Sequence, residues 1–178
     1  QVAFDPKGYF HAAWPLKVPG PTLDLKVRMS RKQDRTVPPP AAVETWIKRE
    51  GKPLKTVEAG HGFEDLRPLK AMVGASRVVA LGEATHGTRE FFQLKHRMLE
   101  FLVSEMGFTT FAIEANQPEA RAVNAYVLRG EGDPAKALSG LYFWTWDTEE
   151  VLEQIRWMRR WNEDPAHSRK ITFQGFDM

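Results

Sequence analysis

Three short apolar runs in this chain each end in an acid. Val78-Val79-Ala80-Leu81-Gly82 leads into Glu83, Phe111-Ala112-Ile113 into Glu114, and Gly175-Phe176 into Asp177. If the runs are parallel strands, their carboxyl ends share one edge of a sheet, where loops open into a crevice. Carboxylates gathered there repel one another, which raises their pKa values unless a cation intervenes. The stretch Glu83-Ala84-Thr85-His86-Gly87 adds an imidazole to that edge. Histidine titrates near neutrality, and a neighbouring carboxylate can orient its ring and raise its basicity, the arrangement of a general base. The plainer reading of His86 is a side chain that only bonds the N-terminus of the next helix. Its place between Gly82 and Gly87, on the turn after an apolar run, favours function.

Lys95 is the second unusual residue. At about 100° per residue it falls on the helical stripe of Phe91, Met98 and Leu102, where an apolar side chain belongs. It can snorkel along that face to water. It can equally reach the acidic edge and keep Glu83 or Glu114 ionised, which puts Lys95 and Asp177 on the substrate side of a site. Other chemistries fit poorly. Gly82 and Gly87 have the spacing of a phosphate loop, but no Lys-Ser/Thr pair follows and Glu83 repels phosphate. No Gly-x-Ser-x-Gly elbow supplies a serine nucleophile. Glu83-x-x-His86 can begin a metal site, yet helical His-Glu-x-x-His is absent. His11, His61, His96 and His167 lack partners in sequence and read as surface or capping residues. Tyr142, Phe143, Trp144 and Trp146 read as core, or as a loop lining a bulky apolar pocket. The residues call for neither metal nor cofactor.

The elements that must hold these groups alternate. Residues 77–81 read as a strand, 89–106 as a helix closed by Gly107, and 109–113 as a second strand. Asn116-Gln117-Pro118-Glu119 then opens a helix, with Asn as cap and Glu reaching back. Asp133-Pro134 starts a short helix. Asp147-Thr148-Glu149-Glu150 caps a long one with apolar face Val151, Leu152, Ile155 and Met158, and 171–176 is the third strand. This order predicts an α/β domain of three layers, α/β/α, around a parallel sheet. Ahead of it, Ala41–Glu50 and Asp65–Val73 read as short helices. Leu23, Leu25, Val27 and Met29 alternate with polar residues as a half-exposed strand, with Tyr9, Phe10 and Trp14 as an earlier strand or turn. Arg31–Arg35 is a basic, solvated strand end, and Pro38-Pro39-Pro40 is a stiff linker. The expected organisation is therefore the tail of a small β-module over 1–36, linker and helix over 37–54, and the α/β domain over 55–178.

Composition narrows the partners. With 42% hydrophobic and 27% charged residues in 178, the chain can bury a core. A net charge of +2 gives no field that argues for nucleic acid. No apolar run approaches the roughly 18 residues of a membrane span. Cysteine is absent, which removes disulfides and thiolate chemistry and leaves the compartment open. The apolar run 171–176 lies just before Met178, so the chain is expected to be a piece of something longer, the rest of its own domain lying outside it.

RVVALGEATHGTREFFQLKH at 77–96, FAIEAN at 111–116, YFWTWDTEEV at 142–151 and GFDM at 175–178 resemble the erythromycin esterase family, and the similarity runs through most of 55–178. The resemblance implies a three-layer α/β/α fold, distantly similar to haem-iron-binding lipoproteins. The family includes bacterial esterases that open macrolide lactones, a route to antibiotic resistance, and proteins labelled succinoglycan biosynthesis. It implies that His86 activates water, with Glu83 and Glu114 shaping the site. In the esterases an arginine stands where Lys95 does; lysine keeps the charge but loses the bidentate fork. The family domain is longer and draws further histidines from its second half, so residues 55–178 are expected to hold an incomplete site. Two functions compete: a hydrolase of a small-molecule ester or lactone, and a module that binds haem or a metal at the same edge.

Overall fold

The computed structural model describes Val2–Phe4, Phe10–Ala12 and Pro40–Asp177. These residues form two compact units. The first contains the described residues as far as Pro53, together with Ala80–Thr85. In it, β1 (Val2–Phe4) and β2 (Phe10–Ala12) pair antiparallel, with Ala3 opposite His11. The first helix, α1 (Ala41–Glu50), follows Pro40, whose carbonyl accepts from the Val43 and Glu44 amides. It has no buried residue and leaves Trp46 and Ile47 exposed. Local bonds hold it, among them the exposed Glu44–Lys48 pair one turn apart, a contribution of only a few tenths of a kcal/mol (~0.3–0.5). The expected strand at Leu23–Met29, the basic cluster Arg31–Arg35, and Tyr9 and Trp14 lie outside the described residues.

The second unit comprises Leu54–Val79 and the described residues from His86 onward. A 3₁₀ turn (Glu64–Leu66) runs into α2 (Arg67–Val73). The helix α3 (Arg89–Met106) is followed by β3 (Thr110–Asn116), α4 (Gln117–Arg129), α5 (Pro134–Ser139), α6 (Glu149–Glu163) and β4 (Thr172–Asp177). Two apolar faces of α3 build two cores. Phe92, Leu99 and Val103 join Ile113, Val123, Ile155, Met158 and Phe173 in the larger one. Phe101 and Leu102 meet Leu66 and Val73 in the smaller. Side chains such as Ile155 and Phe173 are wholly buried, each a gain of about 1.5–3 kcal/mol. Among the described residues no helix is long and apolar enough to cross a membrane.

Strands β3 and β4 run parallel, Thr110 opposite Thr172 and Ile113 opposite Gly175, so the class is α/β. Between Ile113 and Asn116 the register shifts, and Asn116 then faces Asp177. At that irregularity the strands approach so closely that a Cβ on Gly175 would collide with the Ala115 carbonyl oxygen. Only glycine fits there. On the other side of β4 the Phe173 amide donates to the Asn124 side-chain oxygen of α4 at 2.9 Å. The buried Asn162 side chain accepts from the Ile171 amide at 2.7 Å and donates to the Ile171 and Val127 carbonyls. One amide thus fixes the entry to β4 against the end of α4.

Several local expectations hold. Gly107 closes α3 in the left-handed region, its amide and that of Phe108 reaching back to Val103 and Leu102. Asp133 caps α5 and Thr148 caps α6. Two expectations require correction. Arg77–Leu81 is not a strand, and β3 and β4 pair only with each other among the described residues. Val78 is 83% exposed, and Val79 packs on the smaller core. An apolar run favours burial, but a strand exists only where a neighbouring edge takes its hydrogen bonds. Likewise, the Asn116 side chain makes no cap bond, and Glu119 Oε2 is buried without a hydrogen-bond partner rather than reaching back. Asn116 belongs to the last rung of β3.

Candidate functional site

Within the second unit, three of the expected site residues, His86, Lys95 and the main chain of Glu114, meet at Trp146. Its loop leaves α5 through buried Leu141 and enters α6 at Thr148, held by short bonds from Trp146 N to the Phe143 carbonyl and from Thr148 N to the Trp146 carbonyl. The indole is 5% exposed, so its N–H must find an acceptor inside the protein. It donates to the main-chain carbonyl of Glu114 at 2.8 Å. The imidazole of His86 stands edge-on to the indole, with centroids 5.6 Å apart and planes at 87°. Phe92, one turn before Lys95 on α3, packs against the same indole at 5.7 Å. The Lys95 ammonium lies over both rings, 5.6 Å from the Phe92 centroid and 5.7 Å from that of Trp146.

Lys95 packs against two rings from its place on the apolar stripe. The side chain is half-buried, and its charge rests on two π-faces, an attraction of about 0.5–2 kcal/mol depending on hydration. Glu114 lies on the exposed face of β3, opposite to Ile113 and Ala115. Asp177 ends β4 at the rung facing Asn116, so the Glu114 and Asp177 positions share the carboxyl end of the parallel pair. Their side chains are exposed, as is His86. Glu83 is buried and belongs to the first unit, His86 to the second. Trp146 was not among the expected site residues. Its aromatic-rich loop was the available signal; that its ring would face His86, Lys95 and Glu114 depends on how the loop packs.

A second polar group lies further along α3 and is wholly structural in character. Arg97 is 1% exposed and donates to both Asp65 carboxylate oxygens, to the Thr56 carbonyl at 2.6 Å and to the Gly62 carbonyl at 2.8 Å. The guanidinium, with the Lys55 amide, holds the Asp65 carboxyl well below the usual carboxylate range. Nearby, burial lowers His96 to about 4, with the Arg160 charge adding to the effect and Glu153 opposing it. His96 is therefore neutral near pH 7, and its 3.7 Å approach to Glu100 is not an ion pair there. Burial pushes the Glu100 carboxyl up, and its Oε2 accepts from the Gly60 amide at 2.8 Å. Among the described residues no group of three or more His, Asp or Glu side chains is arranged to hold a metal ion.

The erythromycin esterase family profile matches residues 103–178, from the last turn of α3 onward. Over 138 residues the chain is 36% identical to erythromycin esterase type II of Escherichia coli, covering 76% of this chain and 31% of that protein. It is 33% identical over 135 residues to YbfO of Bacillus subtilis strain 168, a hydrolase by name only, covering 75% of this chain and 28% of that one. The chain thus spans about a third of the length of these relatives. Two solved structures agree with the fold, each 40% identical. A Bacillus cereus protein superposes with a TM-score of 0.70, covering 75% of this chain and 32% of that one. A succinoglycan biosynthesis protein does so with a TM-score of 0.71, covering 76% and 34%. With the family profile over residues 103–178, the identity to these relatives and the agreement in fold, this chain is similar to the erythromycin esterase family.

Proposed function

We propose that this chain contributes the His86 side of a hydrolase site that cleaves a carboxylic ester or lactone of a small molecule by attack of water. The observation that carries this reading is Trp146, which touches His86, supports Lys95 and bonds the Glu114 backbone. His86 is exposed and so open to water and substrate. In this reading its neutral ring removes a proton from water as the oxygen adds to the carbonyl carbon. The tetrahedral intermediate collapses by expelling the alkoxide, which takes the proton back from the imidazolium. Lys95, held by ring faces rather than lost to bulk water, is suited to the negative oxygen of that intermediate. Glu83 and Glu114 are assigned the shaping of the site, and Asp177 a place beside the substrate. The family names support hydrolysis of esters, and a macrolide-like lactone is one member of that substrate class.

The activity is proposed for the whole family domain, of which this chain covers about a third. In a protein spanning that domain, His86→Ala is expected to lower kcat for an ester by about 10²–10⁴, the usual loss on removing a general base. Circular dichroism should show an unchanged fold. Hydrolysis at the wild-type rate by folded His86→Ala protein would remove His86 from the mechanism.

A further inference from the structure

The first residue of α3 is Arg89, an unfavourable place for a cation, because the helix macrodipole is positive there. Its position needs another cause, and α6 supplies one. The Arg89 Nε lies 3.0 Å from Oε1 of Glu150, the second residue of α6. At that end of α6 the macrodipole favours an acid, so the carboxylate is settled and Arg89 is the group that reaches. The Glu150 side chain is 18% exposed and that of Arg89 is 70% exposed. A pair this open adds little to stability, so its consequence lies in position. The two residues bracket the hub at Trp146. Arg89 follows His86 by three positions, and Glu150 follows Trp146 by four. Short bonds stiffen both arms. The Thr88 carbonyl accepts from the Phe91 amide at 3.1 Å, the Thr148 amide donates to the Trp146 carbonyl, and the Thr148 hydroxyl accepts from the Val151 amide. At the inner end of the bracket His86 meets the indole, and at the outer end Arg89 meets Glu150. His86 and Gly87 are exposed, so burial in the core does not fix the turn they form.

We infer that the Arg89–Glu150 ion pair positions His86: it ties the turn that carries the imidazole to the loop that carries Trp146. Arg89 and Glu150 are positioning residues, which act through His86 and do not touch substrate. The inference rests on the hydrolase reading and adds to it the contact that steadies the general base. Displacing a reacting group by about 1 Å can cost on the order of a hundredfold in rate. A pair of this exposure, however, shifts a population by only about fivefold. The smaller figure bounds the loss, because the pair can do no more than bias the turn toward its productive place.

The test uses a protein spanning the family domain and reads position and rate separately. Position is read as the nuclear Overhauser cross-peak between the ring protons of His86 and Trp146, assigned by its loss in His86→Ala and in Trp146→Phe. Arg89→Met and Glu150→Gln should each weaken that cross-peak and lower kcat for an ester by about three- to fivefold, with KM little changed. Combined, they should lose no more than either alone, because both break one contact. Arg89→Lys keeps the charge and should retain most of the cross-peak and the rate. Arg156→Met breaks a comparably open pair with Glu153 on the same helix and should leave both unchanged. The inference is overturned if Arg89→Met keeps the cross-peak and kcat, if Arg156→Met loses as much, or if the combined variant loses the product of the two. Arg89→Met protein that no longer folds overturns it too, by assigning the pair to the fold. Failure of the hydrolase reading looks different: the cross-peak responds as expected, but the wild-type protein cleaves the ester no faster than His86→Ala.

Discussion

Lys95 and Arg97 stand two residues apart on α3 and carry the same charge, yet their surroundings differ in kind. Arg97 is buried, and both terminal nitrogens of its guanidinium are bonded to Asp65 and to two carbonyls of the 56–62 segment. Lys95 is half-buried, with its ammonium over the rings of Phe92 and Trp146, beside His86. The same contrast separates the two histidines. His96 is enclosed and held neutral by burial, while His86 is open. A buried charge held by several fixed acceptors is committed to the fold. One held against a π-face at a strand edge keeps an orientation that a ligand can use. One helix thus carries, two residues apart, a cation committed to the fold and the cation proposed for the site.

The sharpest way to break that contrast is to exchange both cations for methionine. Arg97→Met leaves Asp65 without its fork and two carbonyls without donors, and should lower Tm by on the order of ten degrees or more. Lys95→Met places a flexible thioether against the same rings and should keep Tm within a few degrees (~2–4 °C). If the two variants melt alike, Lys95 is as structural as Arg97. Scanning calorimetry decides it.

Acid should affect the buried region next. An unfolded histidine takes up its proton near 6.5, whereas folded His96 does so only near 4. The stabilisation from neutral His96 is complete above 6.5 and is lost as pH falls through that window, roughly 2 kcal/mol between pH 7 and pH 5. Glu100 acts in the opposite sense. Its raised pKa lets the folded state hold a proton above the usual 4.5, so its contribution is present at low pH and lost as pH rises. Urea melts of His96→Phe should therefore flatten the acid limb, and those of Glu100→Gln should steepen it. Identical slopes in all three proteins would deny His96 a part in it.

The smallest effect belongs to the hub. Trp146→Phe keeps a ring beneath Lys95 and removes only the N–H bond to the Glu114 carbonyl, a loss of about 1 kcal/mol. Its signature should be positional: hydrolysis of an ester should fall more than stability does. A variant that loses stability alone would make Trp146 an ordinary core residue.

Much of this was written in local pattern. The stripes of α3 and α6, the glycine that ends α3, and the caps at Asp133 and Thr148 follow from neighbours three and four residues apart, and each could be read without knowing the fold. That Glu114 and Asp177 lie toward the carboxyl ends of β3 and β4 was legible in the same way, from where the apolar runs stop, although β3 continues to Asn116. What the tertiary structure decided lies between residues far apart in the chain. Trp146 finds the Glu114 carbonyl across 32 positions, and Arg97 finds Asp65 across another 32. The need for glycine at 175 comes from the carbonyls of Ala115 and Asn116, which no window around 175 contains. Residues 77–81 show the converse: an apolar run specifies a wish for burial, but pairing needs an edge, and only the assembled chain decides which edges are offered.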